Sequence, residues 1–277
     1  MTIAFVIAVY NGAATLERTL DSLAAQTRRP DQVIVMDGGS TDGTQQILAR
    51  RSDVVTLWRS EKDAGIYDAW NKALAHASAE WVAFLGSDDY LWDEHVLQRL
   101  EDILATVPAD VPFVYGRLME VDASGAVVGQ RGQPWVDCKA SFAFAMPLPH
   151  PGMLHRRSAC FAAGGYDPRY RIAGDYALLR PVLMKHAPLF VDLVVAAAQE
   201  GGISTRADKR VLSVREAGRV ITAAGERKPW RWYLMLFKNQ LRHTLWRALG
   251  DAGLERVRRM VGSGARVQHP VAGSSDR

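Results

Sequence analysis

Two adjacent aspartates, Asp88 and Asp89, directly follow a short apolar segment at 81–85 that ends in a glycine and a serine. Five apolar residues in a row predict a buried strand. Two like charges at the end of such a strand cost free energy unless a cation lies beside them. Mg²⁺ would suit this pair, because it commonly binds one or two carboxylates together with phosphate oxygens. Alternatively, both aspartates cap a helix that begins near Trp92, and this segment alone does not separate the two interpretations.

Strands and helices must alternate ahead of these aspartates. Apolar segments at 3–9 and 32–36 predict strands, and each precedes a segment with helical spacing. Such alternation indicates an α/β fold with a parallel sheet and right-handed crossovers. Ligands bind outside the carboxyl ends of strands in such sheets, where Asp37 and Asp88 both fall. Further strands are predicted at 54–58, 81–85, 112–120 and 189–195, with 127–129 pairing back on 114–121, and helices at 14–25, 44–51, 67–77, 92–105, 156–162, 175–186 and 229–249.

Four motifs in order resemble family 2 glycosyltransferases: Val-Ile-Ala-Val-Tyr-Asn at 6–11, Val-Met-Asp-Gly-Gly-Ser-Thr-Asp-Gly-Thr at 35–44, Asp-Ala-Gly-Ile-Tyr-Asp-Ala-Trp-Asn-Lys at 63–72 and Phe-Leu-Gly-Ser-Asp-Asp at 84–89. The variant is similar to bacterial transferases of exopolysaccharide and lipopolysaccharide assembly, and the resemblance spans about residues 1–205. It implies a GT-A fold, with a mostly parallel sheet flanked by helices, and a nucleotide-diphosphate sugar donor. It also implies a divalent metal, Mg²⁺ or Mn²⁺, and inversion at the anomeric carbon.

The resemblance assigns roles to positions near the strand ends. Asp88 matches the family's metal-binding aspartate, Asp89 is the neighbouring carboxylate, and Gly86 stands where the family has its first aspartate. Asp37 would contact the nucleoside, although it could also be a turn aspartate that bonds to its own backbone. Donor-binding residues are predicted at Val9, Tyr10, Asn11, Asp37, Asp68 and Asp88.

The helix predicted at 67–77 departs from the family pattern. Trp70 stands where many relatives have an arginine that reaches the nucleotide, and Asp68 could supply a polar contact instead. Tyr67 and Trp70 could equally be core residues of an amphipathic helix.

Asp175 matches the family's general base, which takes the proton from the acceptor hydroxyl. A carboxylate can do this within hydrogen-bond reach of that hydroxyl. A plain N-cap role for Asp175 is compatible with this assignment, and Asp167 is the weaker candidate for the base. His150 and Ser204 are further candidates, in a proline-held loop and in a glycine-rich loop that could close over the donor.

Charge is distributed unevenly along the chain. Residues 1–200 carry a net charge of −6 and residues 201–277 carry +10. At 229–249 apolar and basic residues share helical spacing, which fits a helix lying in an anionic membrane surface, or one packed on the catalytic domain or on a second copy in a homo-oligomer. We therefore expect a catalytic domain at 1–215, a basic amphipathic helical extension at 216–261 and a disordered tail at 262–277.

Composition excludes several classes of protein. Two cysteines, Cys138 and Cys160, are too few for a disulfide framework and predict reduced, buried thiols in a cytosolic protein. No signal peptide is evident, and no apolar segment approaches the roughly 18 residues that span a bilayer. Nucleic acid is not an expected partner, because no binding motif of the known classes is present.

These observations predict a cytoplasmic enzyme, peripheral on the inner face of the plasma membrane, that transfers a sugar to a saccharide or lipid-linked acceptor. Two rivals remain. A nucleotidyltransferase would usually carry a glycine-rich, basic loop after its first strand, and no lysine lies near 10–14. A non-catalytic nucleotide-sugar binder would be favoured by loss of Asp175, which is present.

Overall fold

The computed structural model describes residues 1–199 and 207–260. In this part of the chain the strands are β1 Ile3–Val9, β2 Gln32–Asp37, β3 Leu57–Ser60, β4 Trp81–Gly86, β5 Tyr90–Leu91, β6 Phe113–Val121, β7 Val127–Arg131, β8 Leu154–Arg156 and β9 Leu189–Gln199. The helices are α1 Leu16–Ala24, α2 Thr44–Arg50, α3 Ile66–His76, α4 Val96–Leu104, α5 Trp135–Phe142, α6 Arg157–Ala162, α7 Gly174–Leu183, α8 Ala207–Ala223 and α9 Trp230–Met260.

All nine of these strands join one sheet, in the order β3-β2-β1-β4-β8-β6-β9-β5, with β7 paired on β6. The first half of the sheet is parallel throughout. Strands β2 and β4 lie on either side of β1 and are parallel to it, and β3 is parallel to β2 at the edge of the sheet. The second half is mixed, since β8 lies antiparallel to both β4 and β6 while β9 lies parallel to β6. The predicted parallel sheet is therefore confirmed for its N-terminal strands.

Two hydrophobic cores cover the two faces of the sheet. Alternate residues of β1 enter them: Ala4 and Val6 join one core, and Phe5 and Ile7 join the other. Burial on both faces explains why β1 is apolar along its whole length. Helices α3, α7 and α8 cover the first face, and α1, α2 and α4 cover the second.

Several element boundaries differ from the prediction. The strand expected at 54–58 lies at Leu57–Ser60, because Val54 and Val55 form a turn after α2 that packs into the core. The helix expected at 92–105 begins only at Val96, because Asp93 accepts a hydrogen bond from the His95 backbone and holds a turn there. The predicted hairpin is confirmed as β6 and β7.

Helices α8 and α9 pack on the first face of the sheet. Trp232 of α9 is buried, and its indole N–H donates to the carbonyl of Val214 at 2.8 Å. Its ring lies against Gly218, where a Cβ would come within 2.5 Å of it. The domain boundary expected between 215 and 216 falls inside α8, and the tail expected at 262–277 lies outside the described residues. Among the described helices, none combines the length and apolar character needed to cross a bilayer.

Candidate active site

A cavity of about 570 Å³ lies between the carboxyl ends of the strands and helices α8 and α9. Its wall brings together residues that are far apart in sequence, from Ile66 at the start of α3 to Met235 on α9. The charged and polar residues of this wall are Asp88, Asp89, Glu120, Arg131, His150, Arg171, Asp175, Gln199, Arg210 and Ser213. The predicted metal pair and the predicted general base thus line the same cavity.

Asp88 and Asp89 lie in the turn between β4 and β5. The Gly86 N–H donates to Asp89 at 2.8 Å, and the Thr19 hydroxyl on α1 donates to the Asp89 carbonyl at 2.7 Å. Burial, and secondly the neighbouring Asp88, raises the pKa of Asp89 to about 7. Helix α4 begins at Val96 and no side chain caps it, so the capping alternative for these aspartates is wrong.

The carboxylate oxygens at this turn suit a hard divalent cation that takes only some of its ligands from the protein. A buried carboxylate whose charge is unfavourable, beside a second carboxylate, is stabilised when a cation binds. Among the described residues, no cluster of three His, Cys, Asp or Glu side chains could hold a metal ion. Asp88 and Asp89 could therefore supply one or two ligands, with phosphate and water oxygens as the others, which is a common arrangement for Mg²⁺.

Asp175 is the second residue of α7 and is half-buried at the cavity wall. Burial raises its pKa to about 6, with the cation of Arg131 opposing this shift and the charge of Glu216 adding to it. The helix N-cap is Ala173, so the plain N-cap role for Asp175 is not realised. Asp167 is paired with Arg169 at 2.8 Å and is absent from the cavity wall.

Glu216 is a residue that the sequence analysis missed. It is buried on α8, and its carboxylate accepts hydrogen bonds from the backbone N–H groups of Arg171, Ile172 and Ala173 at 2.9–3.1 Å. The backbone N–H groups of the segment that leads into α7 thus find their acceptor on another helix. The signal in the sequence was a single carboxylate, at helical spacing with the apolar residue Val220 and between the two arginines Arg215 and Arg219.

Arg131 of β7 is a second missed residue. It is half-buried at the cavity wall, and its positive charge acts on Asp175. The salt bridges of the described residues do not include it. A positive charge that acts on the candidate base lowers the pKa of that base and favours its ionised form at neutral pH.

The ends of β1, β2 and β3 form a separate polar cluster around Asp37. Asp37 is buried and accepts hydrogen bonds from the backbone and hydroxyl of Ser40 and from the Ser60 hydroxyl, the last at 2.5 Å. The Asn11 N–H donates to the Ser40 hydroxyl at 2.7 Å, and Asn11 has a positive φ of 50°. The turn interpretation of Asp37 describes these bonds, and its contact with a nucleoside stays a prediction.

Tyr10 and Gly38 lie beside this cluster, with Gly38 buried and Tyr10 exposed. A Cβ on Gly38 would lie 2.8 Å from the Asp63 carboxylate and 3.3 Å from the Tyr10 ring, so a larger residue at position 38 would have to displace the Asp63 side chain. The Tyr10 side chain is exposed, whereas Val9 is buried in β1. None of Val9, Tyr10, Asn11 and Asp37 belongs to the cavity wall described above.

Asp68 faces the loop ahead of α3 instead of the cavity. It accepts a hydrogen bond from the Ala64 N–H at 3.0 Å and pairs with Lys72 at 3.2 Å. These contacts lower its pKa. Tyr67 and Trp70 are buried, which confirms the core interpretation, and both also reach the cavity wall.

His150 lies at the base of the cavity inside an aromatic cluster. Its ring stacks on Trp70 with centroids 5.0 Å apart, and its Nε2 lies 3.0 Å from the Tyr166 hydroxyl. Burial holds the pKa of His150 well below its usual range, so the ring is neutral. Ser204 lies outside the described residues.

Residues 4–125 match the model of Glycosyl transferase family 2. A PGL/p-HBAD biosynthesis glycosyltransferase of Mycobacterium tuberculosis is 30% identical over 222 residues, covering 75% of this chain and 81% of the relative. An uncharacterized glycosyltransferase of the same species is 28% identical over 208 residues, covering 74% and 77%.

Solved structures share the fold. TarS of S. aureus, residues 1–349 with UDP-GlcNAc, matches with a TM-score of 0.62 at 18% identity, over 88% of this chain and 72% of that one. The chain spans 43% of the longer TarS structure. A mannosyltransferase from Pyrobaculum calidifontis, with GDP-Man and Mn²⁺, matches with a TM-score of 0.60 at 20% identity, over 94% and 76%. The predicted GT-A fold is thereby confirmed, and the chain belongs to glycosyl transferase family 2.

Proposed function

We propose that this glycosyltransferase moves a sugar from a nucleotide-diphosphate sugar to a saccharide hydroxyl, with inversion at the anomeric carbon. The observation that carries the proposal is the shared cavity, with Asp88 and Asp89 on one part of its wall and Asp175 on another. A donor diphosphate beside the first pair and an acceptor beside Asp175 would both fit a space of about 570 Å³.

Asp175 would act as the general base. The acceptor oxygen attacks the anomeric carbon, its proton passes to the Asp175 carboxylate, and the bond to the diphosphate oxygen breaks. A pKa of about 6 suits this task, because the carboxylate is mostly ionised at neutral pH and yet is a stronger base than an exposed aspartate. Attack from the face opposite the leaving group gives inversion.

Asp88 and Asp89 would hold a divalent cation, Mg²⁺ or Mn²⁺, next to the diphosphate. When bound there, the cation supplies charge neutralisation for the departing nucleoside diphosphate. The chain's own contribution is the fixed turn: the Gly86 N–H orients Asp89, and Arg18 donates to the Asp88 carbonyl at 3.2 Å. Arg18 also donates to Gln199 at 3.1 Å, which links this turn to the end of β9.

The nucleoside would bind at the ends of β1 to β3, beside Tyr10, Gly38 and Asp63. Val9, Asn11 and Asp37 would form this nucleoside site, and Asp68 would hold the loop beside it. The neighbours solved with UDP-GlcNAc and with GDP-Man and Mn²⁺ support a nucleotide-sugar donor and a metal. His150 would support the cavity floor as a neutral ring.

The acceptor would be a saccharide, free or linked to a lipid, in the synthesis of a cell-surface polysaccharide. The reaction would take place on the cytoplasmic side of the membrane. The free cysteines Cys138 and Cys160 suit that side, because the cytosol keeps thiols reduced. The mycobacterial relative that is named for PGL/p-HBAD biosynthesis supports a role in making a glycoconjugate.

The test is a panel of UDP-, GDP- and dTDP-sugars, with and without Mn²⁺ or Mg²⁺, read first by thermal shift and then by release of nucleoside diphosphate. A ligand that binds only the folded state raises the Tm. We expect one donor class to raise the Tm more with metal, and Asp175→Asn to keep that shift while losing diphosphate release. Release of pyrophosphate instead would identify a nucleotidyltransferase, and binding without any release would identify a binding protein.

A further inference from the structure

One face of α9 exposes large apolar side chains. Trp230, Tyr233, Leu234, Phe237 and Leu241 are between 41% and 69% exposed. Because a helix turns by about 100° per residue, these five positions fall within an arc of roughly 100°. A continuous apolar patch of this kind on a soluble body marks a binding surface. We call these five residues the α9 patch.

The body of the protein fixes the direction in which the α9 patch faces. On the opposite side of the helix, Trp232 is buried against Val214 and Gly218 of α8. Met235, on the same inner side, reaches the wall of the cavity. The patch therefore points away from the fold and cannot turn inward without breaking the packing of Trp232.

The charged side chains on this part of α9 are all positive. Residues 227–248 contain six Lys and Arg residues and no Asp or Glu. At the same helical spacing, Arg231, Lys238 and Arg242 follow one flank of the patch, and Arg247 lies on the other. Arg231 also lies over the Trp230 ring at 5.6 Å. An apolar face with tryptophan and tyrosine, bordered by cations, is typical of helices that lie in a membrane interface.

We propose that the α9 patch docks on an anionic lipid bilayer, with its apolar side chains at the boundary of the headgroups and its flanking cations on lipid phosphates. A second copy of the chain is the less favoured occupant, because two copies meeting face to face would oppose two rows of cations. One consequence of docking rests on the proposed function. Because Met235 joins the patch helix to the cavity wall, a lipid-linked acceptor would meet the active site at the membrane surface.

The experiment is co-sedimentation of the full chain with vesicles of phosphatidylglycerol and phosphatidylcholine, and of phosphatidylcholine alone. We expect binding to the anionic vesicles at low salt, release at high salt, and weak binding to the neutral vesicles. The double variant Trp230→Ser with Phe237→Ser should lose at least tenfold in affinity, and Arg231→Glu with Lys238→Glu should lose at least as much.

Matched controls come from α5, away from the cavity wall. Val136 is 81% exposed and Lys139 is exposed, so Val136→Ser and Lys139→Glu repeat both kinds of change on another surface. These two variants should bind vesicles as the unchanged protein does. All variants replace exposed side chains, and an unchanged Tm verifies that each is folded.

The proposal would be overturned if the protein bound anionic and neutral vesicles equally well. It would also be overturned if the α5 control variants lost as much vesicle affinity as the α9 variants. A dimer in light scattering that the Trp230 and Phe237 variant dissociates would overturn it as well, because that result assigns the patch to a second copy. Diphosphate release with a water-soluble acceptor is measured on the same samples. Lost docking with preserved release refutes only the docking, and docking without release refutes only the proposed function.

Discussion

The side-chain carboxylate of Glu216 accepts a hydrogen bond at 3.0 Å from the backbone N–H of Ala173, the N-cap residue of the helix that carries Asp175. The two preceding N–H groups bind the same carboxylate. A residue of α8 therefore fixes the position of the candidate base, although it is absent from the cavity wall. It also places a negative charge where it raises the pKa of Asp175.

Replacing Glu216 tests this relationship. Glu216→Gln keeps the size of the side chain but removes its charge and one acceptor oxygen, so we expect the free energy of unfolding to fall by about 1–3 kcal/mol. We expect kcat to fall on the order of tenfold with donor KM unchanged, because only the base is displaced. The acid limb of the pH–kcat profile should also move to lower pH, which a purely structural role would not cause. Glu94→Gln, an exposed carboxylate, is the control and should change none of these quantities.

Asp175→Asn separates chemistry from binding. An amide cannot accept the acceptor proton, so we expect kcat to fall by about 100-fold to 10,000-fold. Donor affinity, measured by calorimetry, should stay within about twofold, since the donor is already bound before the proton moves. Asp167→Asn is the matched control. Normal turnover in Asp175→Asn, or a comparable loss in Asp167→Asn, would move the base elsewhere.

The pH profile should report the pair Asp175 and Arg131. The proposed base Asp175 has a pKa of about 6 and accepts the proton only when ionised, so we expect kcat to fall as the pH drops below about 6. The positive charge of Arg131 lowers this pKa, so Arg131→Gln should raise it and move the acid limb to higher pH. Arg131→Lys keeps the charge and should leave the limb close to its original position. An unmoved limb in Arg131→Gln would show that another group controls the profile.

Asp89→Asn should make the fold more stable while it removes the metal response. Burial raises the pKa of Asp89 to about 7, above its ordinary value of 3.8, so the folded protein holds that proton more tightly than the unfolded chain. The free energy of unfolding of the unchanged protein therefore falls as the pH rises from about 4 to about 7. The asparagine variant has no such carboxylate and keeps this free energy. The gain at pH 8 should be on the order of 2–4 kcal/mol.

Thermal unfolding at pH 5 and pH 8, with and without Mn²⁺, measures both effects. Mn²⁺ with a nucleoside diphosphate should raise the Tm of the unchanged protein and not that of Asp89→Asn or Asp88→Asn. Turnover that is insensitive to EDTA would contradict the metal assignment. A lower Tm for Asp89→Asn at pH 8 would contradict the electrostatic argument.

Asp37→Ala tests the proposed nucleoside site. Without the Asp37 carboxylate, the hydroxyls of Ser40 and Ser60 lose their acceptor, and the loops at the ends of β2 and β3 lose the contact that joins them. We expect the affinity for the nucleoside diphosphate product to fall as much as the affinity for the donor, by about tenfold or more. Equal product affinity in calorimetry would place the nucleoside elsewhere. Asp42→Ala, which removes a carboxylate exposed at the same edge of the sheet, is the comparison.

The sequence alone predicted the part of the candidate site whose position follows from the order of the strands. Parallel strands bring their carboxyl ends to one edge, so the positions of Asp37 and Asp88 followed from the apolar segments alone. The role of Glu216 depends on how α8 packs against the start of α7. The bonded residues Glu216 and Ala173 are more than forty residues apart in sequence, so the local spacing of residues cannot predict their contact. Strand β8 is only three residues long and pairs on both edges through tertiary contacts, so periodicity could not reveal it.

The family match ends at residue 125, inside the exposed turn between β6 and β7. Tyr10, Asp37 and Asp88 precede that point, whereas Asp175, Glu216 and Met235 follow it. The residues proposed to bind the donor and those proposed to act on the acceptor are thus encoded by two successive stretches of the gene, joined at a solvent-exposed turn. Recombination there could exchange one substrate's recognition while the other is inherited intact, and the same turn offers a crossover point for building hybrid transferases.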